Sequence, residues 1–164
     1  MAEQLWQVVT LDTEFTTTNN STPQATGLSF TPSANTRYWV RGLCLCTSST
    51  TTWCYSIGWR WPSGLDLSAG SVNHQATAAA NFDAVLNWGA ATDGVTTIGG
   101  GSRPMYQPPG SSPTDEIARP VMLDAILHAG ASPSGDLEVL LQVVATGTAT
   151  AKLLAGSCLW IWEF

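Results

Sequence analysis

Polar and apolar residues alternate with a period of two along most of this chain. No long segment sustains the three-to-four spacing of an amphipathic helix, and this limits the possible folds more than any other feature. The pattern predicts strands near Leu5–Thr10, Glu14–Thr17, Gly27–Phe30, Arg37–Cys46, Thr51–Trp59, Leu86–Trp88, Val121–Ala129, Asp136–Ala145, Thr148–Leu153 and Ser157–Phe164. Between them stand turn formers: Asn19-Asn20-Ser21, Pro32-Ser33-Ala34-Asn35, Gly99-Gly100-Gly101, Pro108-Pro109-Gly110 and Pro133-Ser134-Gly135. Many short strands with turn signals between them imply an all-β fold, an antiparallel β-sandwich of jelly-roll-like form. A chain of 164 residues is long enough to bury its own core, so residues 1–164 are expected to form a single domain. Two stretches fit the pattern poorly. Val72–Val85 reads either as a short helix or as an edge strand, and the Gly- and Pro-rich Thr92–Pro113 reads as a long irregular loop. Trp61 to Asp66, WPSGLD, reads as a turn that ends the preceding strand, with Ser63–Val72 as loop.

The stretch RYWVRGLCLCTSSTTTWCYSIGWRWP, Arg37 to Pro62, holds four of the eight Trp and three of the four Cys. Trp53, Tyr55, Ile57, Trp59 and Trp61 fall on one face of a strand there, with Arg60 opposite. A stripe that long reads as core or subunit contact. On a solvent face, Trp59 and Trp61 would instead form a sugar-stacking platform. The last segment, SCLWIWEF, is apolar on both faces, with Cys158, Trp160 and Trp162 on one and Leu159 and Ile161 on the other. Burial on both sides is expected, one against the second sheet and the other against a neighbouring subunit. The candidate core or interface anchors are therefore Trp53, Tyr55, Trp59, Trp61, Trp160 and Trp162.

Charge narrows the choice of partner. Charged residues make up 11% of the chain, where a soluble domain has about 25%. A surface this poor in charge suits a protein largely covered by partners or by its own copies. The net charge is −6 and the six cations are scattered, which disfavours nucleic acid and anionic membranes as partners. No apolar run reaches the length of a membrane span, and MAEQLWQVVTLDTEF lacks the basic and apolar regions of a signal peptide. Synthesis in a cytoplasm is expected, where thiols usually stay reduced.

The usual reactive groups read as structural. Cys44 and Cys46 share one face of a strand, whereas structural zinc sites place their cysteines on tight knuckles; with Cys54 and Cys158 they read as small buried hydrophobes. A Cys54–Cys158 disulfide stays open. His74, in a loop or edge, and His128, at the end of a strand, have no acidic or thiol neighbour in a ligand or triad pattern. Asp12 and Glu14, read as facing one way on a strand, and Asp115-Glu116 read as solvated charges. No nucleophile elbow, zinc-protease motif or phosphate loop is present. The expectation is a non-enzyme with no catalytic residues, no cofactor and no metal.

Three landmarks together resemble small virion proteins of tailed bacteriophages. They are TGLSFTPSANTRYWVRGLCLCTSSTTT at Thr26–Thr52, HAGASPSGDLEVLLQV at His128–Val143 and the closing AGSCLWIWEF at Ala155–Phe164. The resemblance implies a jelly-roll-like homotrimer on a virion, without catalytic residues. Members of the group serve as capsid decoration (cement) proteins, head fibres or fibre tips, and the Cys and Trp load of this chain departs from their usual pattern. The leading expectation is a trimer that binds the major capsid protein on the outer surface of the head and stabilises the shell. The alternatives are a fibre tip that binds a host surface glycan through Ser63–Val72 and Thr92–Pro113, and a carbohydrate-binding module with exposed Trp59 and Trp61. A fibre tip ordinarily follows a shaft, and none is legible here.

Overall fold

The computed structural model describes residues 6–48, 55–74, 85–89, 95–96, 118–143 and 149–164. They form β1 (Trp6–Thr10), β2 (Phe15–Thr17), β3 (Gln24–Phe30), β4 (Arg37–Ser48), β5 (Tyr55–Arg60), β6 (Ser63–His74), β7 (Val85–Gly89), β8 (Val95–Thr96), β9 (Arg119–Ser134), β10 (Leu137–Val143), β11 (Ala151–Leu153) and β12 (Cys158–Glu163). Among the described residues there is no helix.

The strands build two antiparallel sheets. The larger runs β1-β12-β4-β9-β6-β7, with β11 and β2 added beside β4, and the smaller runs β3-β10-β5-β8. With β2, β11 and the β6–β7 pair set aside, the remaining strands lie first-eighth-third-sixth in one sheet and second-seventh-fourth-fifth in the other. That is jelly-roll order, in which successive strands cross between two sheets. The β6–β7 pair is an insertion that widens the larger sheet beyond β9.

The core lies between the sheets. Val40, Leu123, Leu127, Leu159 and Ile161 come from the larger sheet, and Leu28, Ile57, Trp59, Leu137, Val139, Leu141 and Val143 from the smaller. Each alternates with residues that point away from the core, as the pleat requires. At one end, Phe30 meets Tyr38 edge to face at 5.1 Å, joining β3 to β4. The register of β10 against β3 slips between Glu138 and Leu140, and there the buried Thr26 hydroxyl donates to the Val139 carbonyl at 2.8 Å.

Two turns show why their residues stand where they do. Asn35 takes φ 57° in the turn before β4, a conformation Asn tolerates, and its N–H donates to Gly130 O at 2.9 Å. In Ala155-Gly156-Ser157, Gly156 takes φ +87°, and the fully buried Ser157 hydroxyl donates to Leu154 O while accepting from Leu45 N–H. The N–H of Gly156 and the carbonyl of Ser157 both bond to Leu11, which fixes the entry to β12.

Several boundaries differ from the sequence expectation. Ser63–His74 is not a loop but a strand of twelve residues, paired with β9 from Ser63 to His74. Pro62, Gly64 and Gly70 made it look like a turn, yet Gly70 is a packing choice. A Cβ there would lie 3.0 Å from the Trp61 ring and 3.3 Å from the Trp59 ring. Within Val72–Val85, residues 72–74 end β6 and Val85 begins β7, and the rest lies outside the described residues. Within Thr92–Pro113, Val95–Thr96 is β8 and pairs with Trp59 and Arg60; the remainder also lies outside them. Asp12 and Glu14 precede β2 rather than belonging to a strand.

Candidate functional site

The anchors from β5 point into the sandwich. Trp59 is 0% exposed, and Tyr55 and Trp61 are half-buried against the core. The Trp59 and Trp61 rings sit 6.5 Å apart at 48°. Trp59 is therefore closed to a sugar, because a stacking platform needs an open ring face. Arg60 points the other way and donates to Glu138 at 2.8 Å. Trp53 and Cys54 lie outside the described residues, so a disulfide from Cys54 cannot be placed.

The other two anchors behave differently. Leu159 and Ile161 take the core face of β12, while Trp160 and Trp162 point outward and are half-buried rather than enclosed. Within one chain, then, only the Leu159 and Ile161 side of this strand is covered, and the indole side is left for whatever packs on it from outside. We expect Trp160→Ala and Trp162→Ala each to cost about 1–2 kcal/mol in chemical denaturation, less than a fully buried indole would. A loss as large as that of a core tryptophan, measured at a dilution where the chain is a monomer, would contradict this placement.

These outward residues belong to a wider surface. The register places Trp6, Trp162, Trp39, Ile126, Ala69 and Trp88 in one row across the larger sheet. Trp39 and Trp162 stack with centroids 4.5 Å apart and planes 21° apart. In the next row, Arg41 donates to Asp124 at 2.8 Å and lies 5.1 Å from the centre of the Trp39 ring. Val8 is 53% exposed, Leu67 47% and Ile126 43% on the same face. Alternation explains it: Tyr38 and Val40 take the core side of β4, which leaves Trp39, Arg41, Leu43 and Leu45 outside.

Among the described residues, charge on this face is balanced. Arg37, Arg41 and Lys152 stand against Asp124, Glu14 and Asp66. Lys152 approaches Glu14 at 3.5 Å, and His128 Nδ1 approaches Asp66 at 3.6 Å. The Asp66 neighbour of His128 was hidden in the sequence because β6 was read as loop. His128 itself lies inside β9 rather than at a strand end.

No chemistry gathers around the thiols. Cys44 and Cys46 are buried on the core side of β4, whereas Cys158 is paired with Leu43 on the outer side. No group of three or more His, Cys, Asp or Glu that could hold a metal occurs among the described residues. Burial pushes the Cys46 thiol from its ordinary 9.0 up to about 12, against a smaller downward pull from a Tyr55 hydrogen bond. Cys44 is also raised, by burial first and then by the neighbouring Cys46 and Cys158. Both should stay unalkylated by iodoacetamide in the native protein at pH 8, and peptide mapping that finds either one modified would contradict this. Both thiols keep their protons in the fold where the unfolded chain would lose them. Stability should be full below pH 9.0 and fall as pH climbs toward 12.

No protein-family model, curated protein or solved structure matches the chain.

Proposed function

We propose that this chain is a structural subunit of a bacteriophage virion, a decoration protein that binds the outer surface of the head as a trimer and stabilises the shell. The observation that carries the reading is the outer face of the larger sheet. It joins stacked and exposed apolar side chains over five strands, with Arg41 paired to Asp124 and Lys152 beside Glu14. A face of that kind is costly to leave in water and suits a protein partner. The low charge content and the jelly-roll strand order agree with the reading, as does the resemblance of three segments to small virion proteins.

The mechanism is binding linkage. A subunit that contacts several major capsid proteins in the closed lattice, and none of them when separated, stabilises the lattice by mass action. At a hundredfold excess over the dissociation constant this amounts to about 2.7 kcal/mol per site. The test adds the purified chain to heads assembled without it and follows their thermal disruption by calorimetry. A saturable rise in the transition temperature is expected. No binding, with specific retention on a host-surface glycan instead, would favour the fibre-tip alternative.

A further inference from the structure

We infer that the outer face of the larger sheet is where a second copy of this chain docks. The inference rests on the assembly reading above and names the partner of that face.

Size is the first argument. Six strands at a spacing of ~4.8 Å make the face roughly 24 Å wide. Its strands, at ~3.4 Å per residue, run roughly 20 to 40 Å along it. The product is roughly 500–900 Å², near the ~800 Å² that each partner buries in a stable protein interface. Charge is the second. In a chain of net charge −6, most surfaces would repel a second copy. This face carries equal numbers of described cations and carboxylates, with Arg41 and Asp124 bonded to each other at 2.8 Å. Covering the bonded Arg41–Asp124 pair leaves neither ion orphaned, and the balanced sign count removes net repulsion between two copies.

The aromatic geometry points the same way. A sugar would need an open indole face, but Trp39 already has Trp162 stacked against its ring and the Arg41 guanidinium over it. What the pair offers is a ridge of indole edges beside Ile126 and Val8, and such ridges pack into the grooves of another protein surface.

The test is sedimentation velocity of the full chain at micromolar concentration. Wild type is compared with Ile126→Lys on this face and with Ala25→Lys, an exposed position on edge strand β3 of the smaller sheet. Wild type and Ala25→Lys should sediment as a dimer or trimer. Ile126→Lys should be at least tenfold weaker in self-association, with an unchanged β-sheet circular dichroism spectrum and the melting temperature of the diluted, monomeric wild type. An oligomer that survives Ile126→Lys overturns the inference and leaves the assembly reading standing on another surface. A monomeric wild type also overturns it, and binding of that monomer to undecorated heads would then show whether the assembly reading fails as well.

Discussion

Trp59→Ala should destabilise the fold by about 3–5 kcal/mol, the largest loss of any single truncation considered. The side chain is wholly buried and touches both sheets, since the ring lies 3.3 Å from where a Gly70 Cβ would be. For a chain of this length such a loss should lower the melting temperature by roughly 6–20 °C. Its indole N–H has no acceptor among the described residues. A buried donor left unpaired is itself unfavourable, so Trp59→Phe should cost markedly less than truncation even though it removes volume. A Trp59→Ala protein that melts within 2 °C of wild type would contradict the placement of this ring. So would a Trp59→Phe protein as unstable as the alanine variant.

Gly64→Ala should cost about 2–5 kcal/mol, although it adds one methyl group. Gly64 has φ +71°, where an L side chain costs about 1–2 kcal/mol. Its added Cβ would also sit 2.6 Å from the Ser132 carbonyl oxygen and 3.2 Å from the Ser132 carbonyl carbon, both backbone atoms. The backbone at the β6–β9 register shift would have to move, which adds about 1–3 kcal/mol. Gly156→Ala is the internal control. Its φ is +87° with no atom within 4 Å of the added Cβ, so it should cost only the conformational part. Equal losses in urea denaturation of the two variants would mean that the close approach of β6 to β9 is not a feature of the folded protein.

The period-two pattern made most strands legible, and the jelly-roll class with them. Arg37–Ser48 and Cys158–Glu163 were expected to within two residues at each end, because turn formers stand just before both, Pro32-Ser33-Ala34-Asn35 and Gly156-Ser157. The strand β6 was not legible. Its Pro, Gly, Ser and Asp residues carry turn chemistry, and it holds its place through pairing with β9 and through the space Gly70 leaves for the Trp59 and Trp61 rings. Long-range pairing of that kind leaves no local signal.

The candidate surface was half legible for a related reason. In a strand apolar on both sides, alternation shows that two faces exist but not which one meets the core. Leu159 and Ile161 are smaller than the indoles beside them, yet they fill the sandwich, and Trp160 and Trp162 stand outside. Trp39 was hidden in the same way, between the buried Tyr38 and Val40. Its partner Trp162 is far away in sequence, so only the register of β12 against β4 brings the stacked pair together. On the β5 stripe the faces were clear because Arg60 marks the side away from the core.

If the outer face of the larger sheet is covered by another copy of the chain, the protein in solution is an oligomer. The most direct measurement is the molar mass of the wild-type protein by light scattering across a concentration series. The expected result is a discrete multiple of 17.4 kDa that holds at micromolar concentration and falls toward a single chain only on strong dilution. A mass of 17.4 kDa at every concentration would contradict it.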